Sequence, residues 1–436
     1  MTYKETIEYL YTALPMFSRI GDAAIKKDLT NTLILCERLG NPHHKFKTVH
    51  IAGTNGKGSV SHMLSAVFQN AGYRTGLYTS PHLKDFRERI KVNGEIVSED
   101  FVAQFTQKIT PLIAEIQPSF FEITVAMAFE YFAEMQVDVA VIETGLGGRL
   151  DSTNVVNPEV SVITNIGMDH MHLLGNTLAA IAFEKAGIIK QDVPVVIGET
   201  NAETSNVFTD VSRAKHAPII FADQVRYTED HIYKAHRLHI TVVNKADNEK
   251  KDFSLDLTGL YQAKNVVTVL AVTDALKHKG WNISGENIHA GLNNVKKLTG
   301  LHGRWEQVGH KPDVFIDVAH NEDGIKQLVA QAEWMDFHEL HIVMGMVKDK
   351  DIEKVLALLP KEANYYFTKA QIPRALPENE LATKALQYDL HGHHYPDVNT
   401  AVKAAIQKAH RDDLIIVCGS VFVVGELEVN HIFKHK

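Results

Sequence analysis

The strongest constraint on the fold is a glycine-rich turn, Gly53-Thr54-Asn55-Gly56-Lys57-Gly58-Ser59, between two regular segments. Residues 48–52 before it are apolar and β-branched, which is typical of a buried strand. After it, Val60, Leu64 and Val67 recur at helical spacing and predict a helix with one apolar face. This strand–turn–helix order binds phosphate, because glycines admit the anion and free backbone N–H groups point at it.

Lys57 makes this turn a predicted nucleotide site. Its ammonium would place a point charge at the terminal phosphates. The strict Walker pattern has Ser or Thr directly after the lysine, whereas here Gly58 follows it and the hydroxyl comes at Ser59. The glycines alone are also compatible with a turn that binds no ligand. The lysine, together with the flanking strand and helix, favours a nucleotide site.

Length, net charge and cysteine content limit the classes of protein to which this chain can belong. A chain of 436 residues is too long for one hydrophobic core and predicts two or three domains. A net charge of −8 argues against non-specific nucleic-acid binding. Cys36 and Cys418 make no disulfide framework and are predicted to be packing residues. No signal-peptide pattern opens the chain, and the longest apolar run, 414–425, is too short for a bilayer. We expect a monomeric cytoplasmic protein without nucleic-acid or membrane partners.

Strand and helix patterns alternate along the chain, which is typical of a mostly parallel α/β sheet. Residues 4–39 predict two short helices around a loop at 17–27. The pattern then predicts strands over residues 75–79, 137–142, 160–164 and 193–197. It predicts helices in two parts of 99–135 and over 177–186, 262–279 and 284–291. Polar clusters follow several strands, and this carboxyl edge is where open α/β sheets bind ligands.

Two further features divide the chain into domains. Residues 205–258 are polar, contain a β-like run and predict a small antiparallel excursion. Residues 296–303 contain Lys-Lys, Thr-Gly and another glycine, which indicates a domain boundary. We predict an N-terminal P-loop domain over 1–297 and a C-terminal α/β domain over 298–436. In the second domain, strands are expected at 313–318, 341–344 and 414–418, and helices at 322–334, 351–358 and 398–409.

Several polar residues near the predicted strand ends could carry chemistry. Glu143 and His170 are each expected to end a buried strand beside the phosphate loop, and with the hydroxyl of Ser80 they could bind Mg²⁺. One imidazole is unusual for this metal, and the spacing also allows His172. For each residue alone, an ordinary hydrogen-bonded strand end is the alternative. Lys185 would by default be a solvated helix lysine.

The C-terminal half offers a second set of candidates. Arg304 lies at the predicted boundary, and Asp317 and His320 follow the first strand of that domain. These three residues could complete a site between the domains, and a surface ion pair is an equal alternative. Ser420 has the same position after the last strand, with a weaker signal.

Taken together, the motifs resemble the folylpolyglutamate synthases, the folate branch of the Mur ligase superfamily, from about residue 4 to 428. The phosphate loop is accompanied, in this order, by Thr79-Ser80-Pro81-His82, Gly147-Gly148-Arg149-Leu150-Asp151, Asp169-His170, Glu184-Lys185-Ala186-Gly187, Ala319-His320-Asn321 and Lys348-Asp349-Lys350-Asp351. Two positions depart from the family pattern: Glu322 replaces a proline, and no proline precedes Gly303.

The resemblance implies a P-loop central domain of Mur ligase type with a mostly parallel sheet, and a smaller, Rossmann-like C-terminal α/β domain. It also implies an ATP- and Mg²⁺-dependent ligase, with two Mg²⁺ ions, that adds L-glutamate to a folate carboxylate through an acyl phosphate. Dihydropteroate is a possible second acceptor. The residue patterns leave three alternatives open: a cell-wall Mur ligase, a P-loop kinase and a non-catalytic nucleotide-binding regulator.

The same resemblance assigns roles to individual positions. The triphosphate is assigned to Thr54, Asn55, Gly56, Lys57, Gly58 and Ser59, with further nucleotide contacts at Asn265, Arg304 and Asp317. Magnesium is assigned to Ser80, Glu143, His170 and a carbamylated Lys185, and the catalytic group comprises Lys57, Lys185, His170 and Glu143. The pterin side is assigned to Ser119, Leu150, Asp151 and Ser152. The incoming glutamate is assigned to His320 and Ser420.

Overall fold

The computed structural model describes residues 1–24, 26 and 28–433, and the chain divides into two compact units. The first unit comprises Met1–Asp256 and Tyr261–Leu301, and the second comprises Leu257–Leu260 and His302–Lys436. The division therefore falls after Leu301, close to the predicted boundary at residue 297. The short segment Leu257–Leu260 belongs to the second unit, which no local sequence signal indicated.

The first unit contains thirteen helices and eleven strands within its described residues. Its helices are α1 Tyr3–Ala13, α2 Phe17–Ile20, α3 Thr30–Arg38, α4 Lys57–Asn70, α5 Glu99–Ile116, α6 Phe120–Glu134, α7 Met171–Leu174, α8 Leu178–Ala186, α9 Ser205–Ala214, α10 Ala222–Val225, α11 Gln262–His278, α12 Gly285–Asn293 and α13 Val295–Thr299. Its strands are β1 Lys47–Ala52, β2 Thr75–Tyr78, β3 Ile90–Val92, β4 Glu95–Ile96, β5 Val139–Glu143, β6 Val160–Ile163, β7 Val195–Ile197, β8 Ile219–Phe221, β9 Arg226–Lys234, β10 Arg237–Asn244 and β11 Lys250–Leu255.

Eight of these strands form the main sheet, in the order β4-β3-β2-β5-β1-β6-β7-β8. Only β3 and β4 pair antiparallel, so the prediction of a mostly parallel sheet is confirmed. The central strand β1 has every residue after Lys47 buried, because it pairs with β5 on one side and β6 on the other. The carboxyl ends of β1, β5 and β6 thus lie side by side, where the phosphate loop begins.

Helix α4, which follows the phosphate loop, is buried on every side from Ser59 to Phe68. The prediction of a single apolar face was therefore wrong. Helix α4 packs against β1, β2 and β5, while α11, α12 and α13 cover its remaining surface. Its small residues Ser61, Ser65 and Ala66 let these neighbours approach closely enough to exclude water.

Two other predictions for the first unit need correction. The antiparallel excursion is the three-stranded sheet β11-β10-β9, which begins at Arg226, because residues 205–221 form α9 and β8 of the main layer. The predicted loop at 17–27 contains α2 and a 3₁₀ turn, Gly21–Ala24, while residues 25 and 27 lie outside the described residues.

The second unit is a separate α/β layer. Its strands are β12 Glu306–Gly309, β13 Asp313–Ile316, β14 Leu340–Met344, β15 Asn364–Phe367, β16 Gly392–His394 and β17 Leu414–Cys418. Its helices are α14 Glu322–Glu333, α15 Ile352–Leu356, α16 Glu378–Leu386, α17 Val398–Lys408, α18 Val421–Glu426 and α19 Val429–Phe433. The sheet order is β12-β13-β17-β14-β15-β16, and only β12 runs antiparallel to its neighbour.

Two predictions from composition can be compared with this structure. Cys36 and Cys418 are both free and fully buried among apolar side chains, which confirms them as packing residues. Among the described residues, no helix combines the length and the apolar character that crossing a bilayer requires.

Candidate active site

The phosphate loop connects β1 to α4 through two glycines that no other residue could replace without displacing the chain. Gly53 has a φ of 151° and Gly56 a φ of 85°. A Cβ on Gly53 would lie 1.9 Å from Thr164 Oγ1, and one on Gly56 would lie 2.6 Å from Asn265 Oδ1. Gly56 is also the N-cap of α4 and brings no side chain to that helix end. The first-turn N–H groups of α4 are therefore suited to an anion.

The residues after β6 hold this loop in shape. The backbone N–H of Thr54 donates to Asn165 O at 3.0 Å, and that of Asn55 donates to Asn165 Oδ1 at 2.8 Å. The Thr54 hydroxyl accepts from the N–H of Gly167 at 3.0 Å, and the Thr164 hydroxyl donates to Asn55 O at 2.6 Å. The polar cluster that the sequence shows after this strand thus serves first to fix the loop.

Two lysines converge on the start of the loop. Lys57 Nζ donates to Gly53 O at 3.0 Å and to Thr54 O at 3.2 Å. Lys185 Nζ, from α8, donates to the same Gly53 O at 2.8 Å and is only 4% exposed, so the expectation of a solvated helix lysine was wrong. Burial, and next the charge of Lys57, lower the pKa of Lys185 to about 7. A large fraction of its amine is therefore neutral at physiological pH.

Glu143 and Ser80 lie together at the same edge of the sheet. Glu143 is the last residue of β5, pairs in register with Ile51 of β1, and is almost fully buried. Its Oε2 accepts a hydrogen bond from the backbone N–H of Ser80 at 3.2 Å. A buried carboxylate beside a hydroxyl-bearing residue offers the oxygen ligands that Mg²⁺ prefers, so these two residues fit a magnesium ion.

His170 is not a strand-end residue, which corrects the prediction. Strand β6 stops at Ile163, because the next residues turn to hold the phosphate loop, and His170 is the N-cap of α7 with a φ of 50°. His172 lies on α7 itself, and the two imidazole centroids are 6.3 Å apart. Among the described residues, Glu143 and His170 are not part of any group of three or more acidic, His or Cys side chains whose ligand atoms all lie within 4.8 Å.

Helix α11 places Asn265, which the resemblance assigns to a nucleotide contact, beside Gly56 of the loop. Its Nδ2 donates to Gln262 Oε1 at 2.7 Å, and Gln262 Nε2 donates to Ser59 Oγ at 3.1 Å. Gln262 was not predicted, and its position three residues before Asn265 on the same helix face is the signal that could have identified it.

The residues assigned to the pterin side have local structural partners. Ser119 is the N-cap of α6 and forms a capping box with Glu122. The Asp151 carboxylate accepts from the N–H of Leu146 at 2.8 Å and from that of Thr153 at 3.0 Å, and burial raises the pKa of Asp151. Leu150 and Ser152, on either side, are partly exposed.

Arg89 is a buried cation that the sequence analysis missed. It lies in the run Phe86-Arg87-Glu88-Arg89, which reads as a solvated turn, yet it is only 6% exposed. Its Nε donates to His82 Nδ1 at 2.8 Å, and its guanidinium lies over the Phe120 ring at 5.4 Å. Burial lowers the pKa of Arg89, because removal from water disfavours its charged form.

The second unit places its candidates at the carboxyl edge of its own sheet. Asp317 is buried and accepts from the N–H of Trp305 and of Ala319, both at 2.8 Å, so a surface ion pair does not describe it. His320 Nδ1 lies 2.9 Å from Val318 O. Ser420 is the N-cap of α18, and its hydroxyl accepts from the N–H of Val423 at 3.1 Å. Arg304 Nη1 donates to Gly303 O at 3.2 Å.

A metal-compatible cluster lies at the opposite, amino edge of that sheet. Glu339, His341 and Asp413 have ligand atoms within 4.8 Å of one another. His341 Nε2 lies 3.1 Å from Asp413 Oδ2, and the same carboxylate accepts from the N–H of Glu339 at 3.0 Å and of His410 at 2.6 Å. The cluster is a hydrogen-bonded connection between the starts of β14 and β17, and its partners are satisfied without a metal.

The fold and the loop define a class, the Mur-type ligases. The model of the Mur ligase middle domain matches residues 51–273, and that of the Mur ligase, glutamate ligase domain matches residues 303–421. A dihydrofolate synthase/folylpolyglutamate synthase from Bacillus subtilis is 33% identical over 421 residues, covering 92% of this chain and 94% of the relative. The chain belongs to the folylpolyglutamate synthase family.

A longer relative shares the same region. A probable bifunctional folylpolyglutamate synthase/dihydropteroate synthase from Haloferax volcanii is 33% identical over 98% of this chain. The chain spans only 50% of that relative.

Solved structures resemble the whole chain. Folylpolyglutamate synthase from Mycobacterium tuberculosis complexed with ADP has a TM-score of 0.87 and 32% identity, covering 97% of this chain and 96% of that one. Escherichia coli FolC in complex with DHPP and ADP has a TM-score of 0.83 and 29% identity, covering 98% and 96%. A Yersinia pestis folylpolyglutamate synthase/dihydrofolate synthase with Mn, AMPPNP and L-glutamate bound has a TM-score of 0.82 and 29% identity, covering 98% and 97%.

Proposed function

We propose that this protein is an ATP- and Mg²⁺-dependent ligase that joins the amine of L-glutamate to a carboxylate of folate or folylpolyglutamate. The observation that carries the proposal is the convergence of Lys57 and Lys185 on the carbonyl of Gly53, at the start of the phosphate loop. The amines of a partly buried and a buried lysine, together with a helix N-terminus, suit a triphosphate there, and Glu143 at the end of the neighbouring strand suits its metal.

The chemistry needs activation because a carboxylate is a poor acyl donor. The folate carboxylate would attack the γ-phosphorus of ATP, which forms an acyl phosphate and releases ADP. The glutamate amine would then attack the acyl carbon, forming the amide and releasing phosphate and a proton. Lys57 would leave the carbonyls of Gly53 and Thr54 to offset charge on the transferring phosphoryl group, which is the main protein contribution to such reactions.

Ser80, Glu143 and His170 are the proposed ligands of Mg²⁺, whose chemistry is to neutralise phosphate charge when bound. For a second ion we propose a carbamate on Lys185. Its neutral amine nitrogen adds to the carbon of CO₂ and loses a proton to water, which converts a cation into an anionic ligand. The burial that lowers the pKa of Lys185 to about 7 supports this step.

The remaining predicted contacts are proposals on the same basis. We propose nucleotide contacts from Asn265, Arg304 and Asp317. Pterin contacts are proposed for Ser119, Leu150, Asp151 and Ser152. Glutamate contacts are proposed for His320 and Ser420. The Escherichia coli relative binds DHPP and the Yersinia pestis relative binds L-glutamate in their solved complexes, which supports the same substrate classes here. We further propose a cytoplasmic monomer, without nucleic-acid or membrane partners.

The decisive experiment incubates the protein with ATP, Mg²⁺ and labelled glutamate, offering tetrahydrofolate and dihydropteroate in separate reactions. We expect labelled amide product, with ADP and phosphate released in equal amounts. Product from dihydropteroate as well would add the dihydrofolate synthase activity. ATP hydrolysis that ignores glutamate and folate would contradict the proposal, as would a phosphorylated folate that accumulates as the final product.

A further inference from the structure

We propose that His50 is a positioning residue for the ligase reaction, acting through Thr153 on the segment from Gly145 to Asp151. This segment, called here the 145–151 loop, begins two residues after Glu143 and ends at the residues proposed for the pterin side. The inference rests on the proposed function, and it assigns a role to a strand residue that none of the motifs includes.

A chain of buried hydrogen bonds leads from the strand to the loop. His50 lies in β1, three residues before Gly53, and its side chain is fully buried. Its Nε2 is 2.8 Å from Thr153 Oγ1, and the Thr153 hydroxyl donates to Asp151 Oδ1 at 2.5 Å. The other oxygen of Asp151 accepts from the N–H of Leu146 at 2.8 Å. His50 is thus connected to the 145–151 loop through two side chains.

The direction of these bonds fixes the tautomer of His50. Thr153 has one hydroxyl proton and gives it to Asp151, so its oxygen accepts and His50 Nε2 must carry a proton. Burial, and next the charge of Lys190, lower the pKa of His50 to about 3, so the ring is neutral. Among the described residues, Nδ1 has no hydrogen-bond partner. The ring is therefore oriented by its single bond to Thr153.

Hydrogen bonds that begin at strand β1 fix both ends of the segment from Thr144 to Asp151. At the start, the N–H of Thr144 donates to Ile51 O at 2.9 Å. At the end, His50 supports Asp151 through Thr153, and the N–H of Asp151 closes the loop onto Gly148 O at 3.1 Å. Consecutive residues of β1 therefore set the position of the segment that joins the proposed metal ligand Glu143 to the proposed pterin residues.

A merely space-filling role does not explain a histidine here. Its register partners on the flanking strands, Ile142 on β5 and Ser161 on β6, are both fully buried, as is His50 itself. Burying a polar ring at this position costs free energy unless its hydrogen bond is made. The bond it makes ends at the loop that flanks the proposed metal and pterin residues, which is where a small displacement would change the rate.

The first test compares His50→Leu with Thr48→Val in the ligation assay. Thr48 is the matched control, because it is buried on the same strand and the same face, and its hydroxyl has no partner among the described residues. We expect His50→Leu to lower kcat/KM for folate about 10- to 100-fold, the range seen for supporting partners of metal ligands. ADP affinity should stay within about twofold, and Thr48→Val should change neither quantity beyond about twofold.

The second test asks whether the effect passes through Thr153. Thr153→Val should reproduce the loss, Thr153→Ser should retain activity, and His50→Leu added to Thr153→Val should cost little more. His50→Gln keeps an N–H donor and should recover part of the rate. Additive losses in the double variant, or an equal fall in ADP affinity and folate turnover, would show a structural role and overturn the proposal.

A spectroscopic test separates this inference from the proposed function. Nitrogen-15 NMR of histidine-labelled protein should show His50 as the Nε2–H tautomer, unchanged between pH 6 and 8, and Thr153→Val should shift its Nε2 resonance. If the wild-type protein fails to ligate glutamate, the proposed function fails whatever this spectrum shows. If ligation occurs and His50 is the Nδ1–H tautomer, the proposal for His50 fails alone.

Discussion

The carboxyl edges of the two parallel sheets use their polar residues differently. In the first unit, Lys57 and Lys185 donate to a backbone carbonyl that a phosphate could replace as their partner. In the second unit, Asp317 and Ser420 accept from backbone N–H groups that a ligand cannot easily replace. A position after a strand therefore makes a residue a candidate for function but does not show that it has one. The identity of its present partner indicates whether the side chain is available for chemistry or is holding the chain in place.

The largest effect should come from Lys185→Ala. If the buried lysine supplies a carbamate to a second metal ion, turnover should fall by about 10²–10³-fold or more, the cost of removing one preorganised electrostatic group. Added acetate should restore part of the rate, because it returns the lost carboxylate. Rescue by a small amine and not by acetate would instead indicate a lysine that pairs directly with phosphate.

Lys57→Ala should have the next largest effect, with a loss of about 10²-fold in turnover, because it removes one charge from the transferring phosphoryl group. Lys279→Ala is the matched control, since Lys279 pairs with Glu159 away from the loop and surface pairs contribute only about 0–1 kcal/mol. Turnover of Lys57→Ala within a few-fold of wild type would refute its assigned role.

The difference between the two edges can also be tested with pH, because burial lowers the pKa of the Lys185 amine, whereas Asp317 and Ser420 are held by backbone N–H groups. The folded-state pKa of about 7 lies below the unfolded value near 10.4, so between these values the unfolded chain binds more protons. The free energy of unfolding should therefore rise with pH across this window, by at most about 1.4 kcal/mol per pH unit. Urea titrations in CO₂-free buffer at pH 7 and 9 should show this rise, and Lys185→Met should flatten it. An equal rise in both proteins would assign it to other groups.

The smallest effect on catalysis should come from the amino edge of the second sheet. Asp413→Asn weakens the buried contact with His341 and should lower the free energy of unfolding by about 1–3 kcal/mol. Because this edge carries no proposed substrate contact, kcat/KM should stay within about twofold of wild type. A tenfold fall in kcat/KM at unchanged stability would mean that the Glu339, His341 and Asp413 cluster takes part in function.

Local sequence patterns predicted many of the elements and the glycine-rich turn, but not α9, β8, β15, α16 or β16. Strand β17 was predicted at its observed bounds, and the two helices within 99–135 were found as α5 and α6, because side-chain periodicity is a property of consecutive residues. The glycines of the loop could be predicted in the same way, because a glycine's steric freedom depends on the backbone at its own position.

The contacts that the candidate side chains make depend on the tertiary structure and could not be predicted. It buried Lys185 against Gly53, 132 residues away, and it placed His170 at the start of a helix rather than at a strand end. It also buried the side of α4 that lies away from the predicted apolar face. It connected His50 to Thr153, which lies 103 residues further along the chain. Burial, pKa and hydrogen-bond partner depend on groups that folding brings together from distant positions, and no local pattern in the sequence records which groups those are.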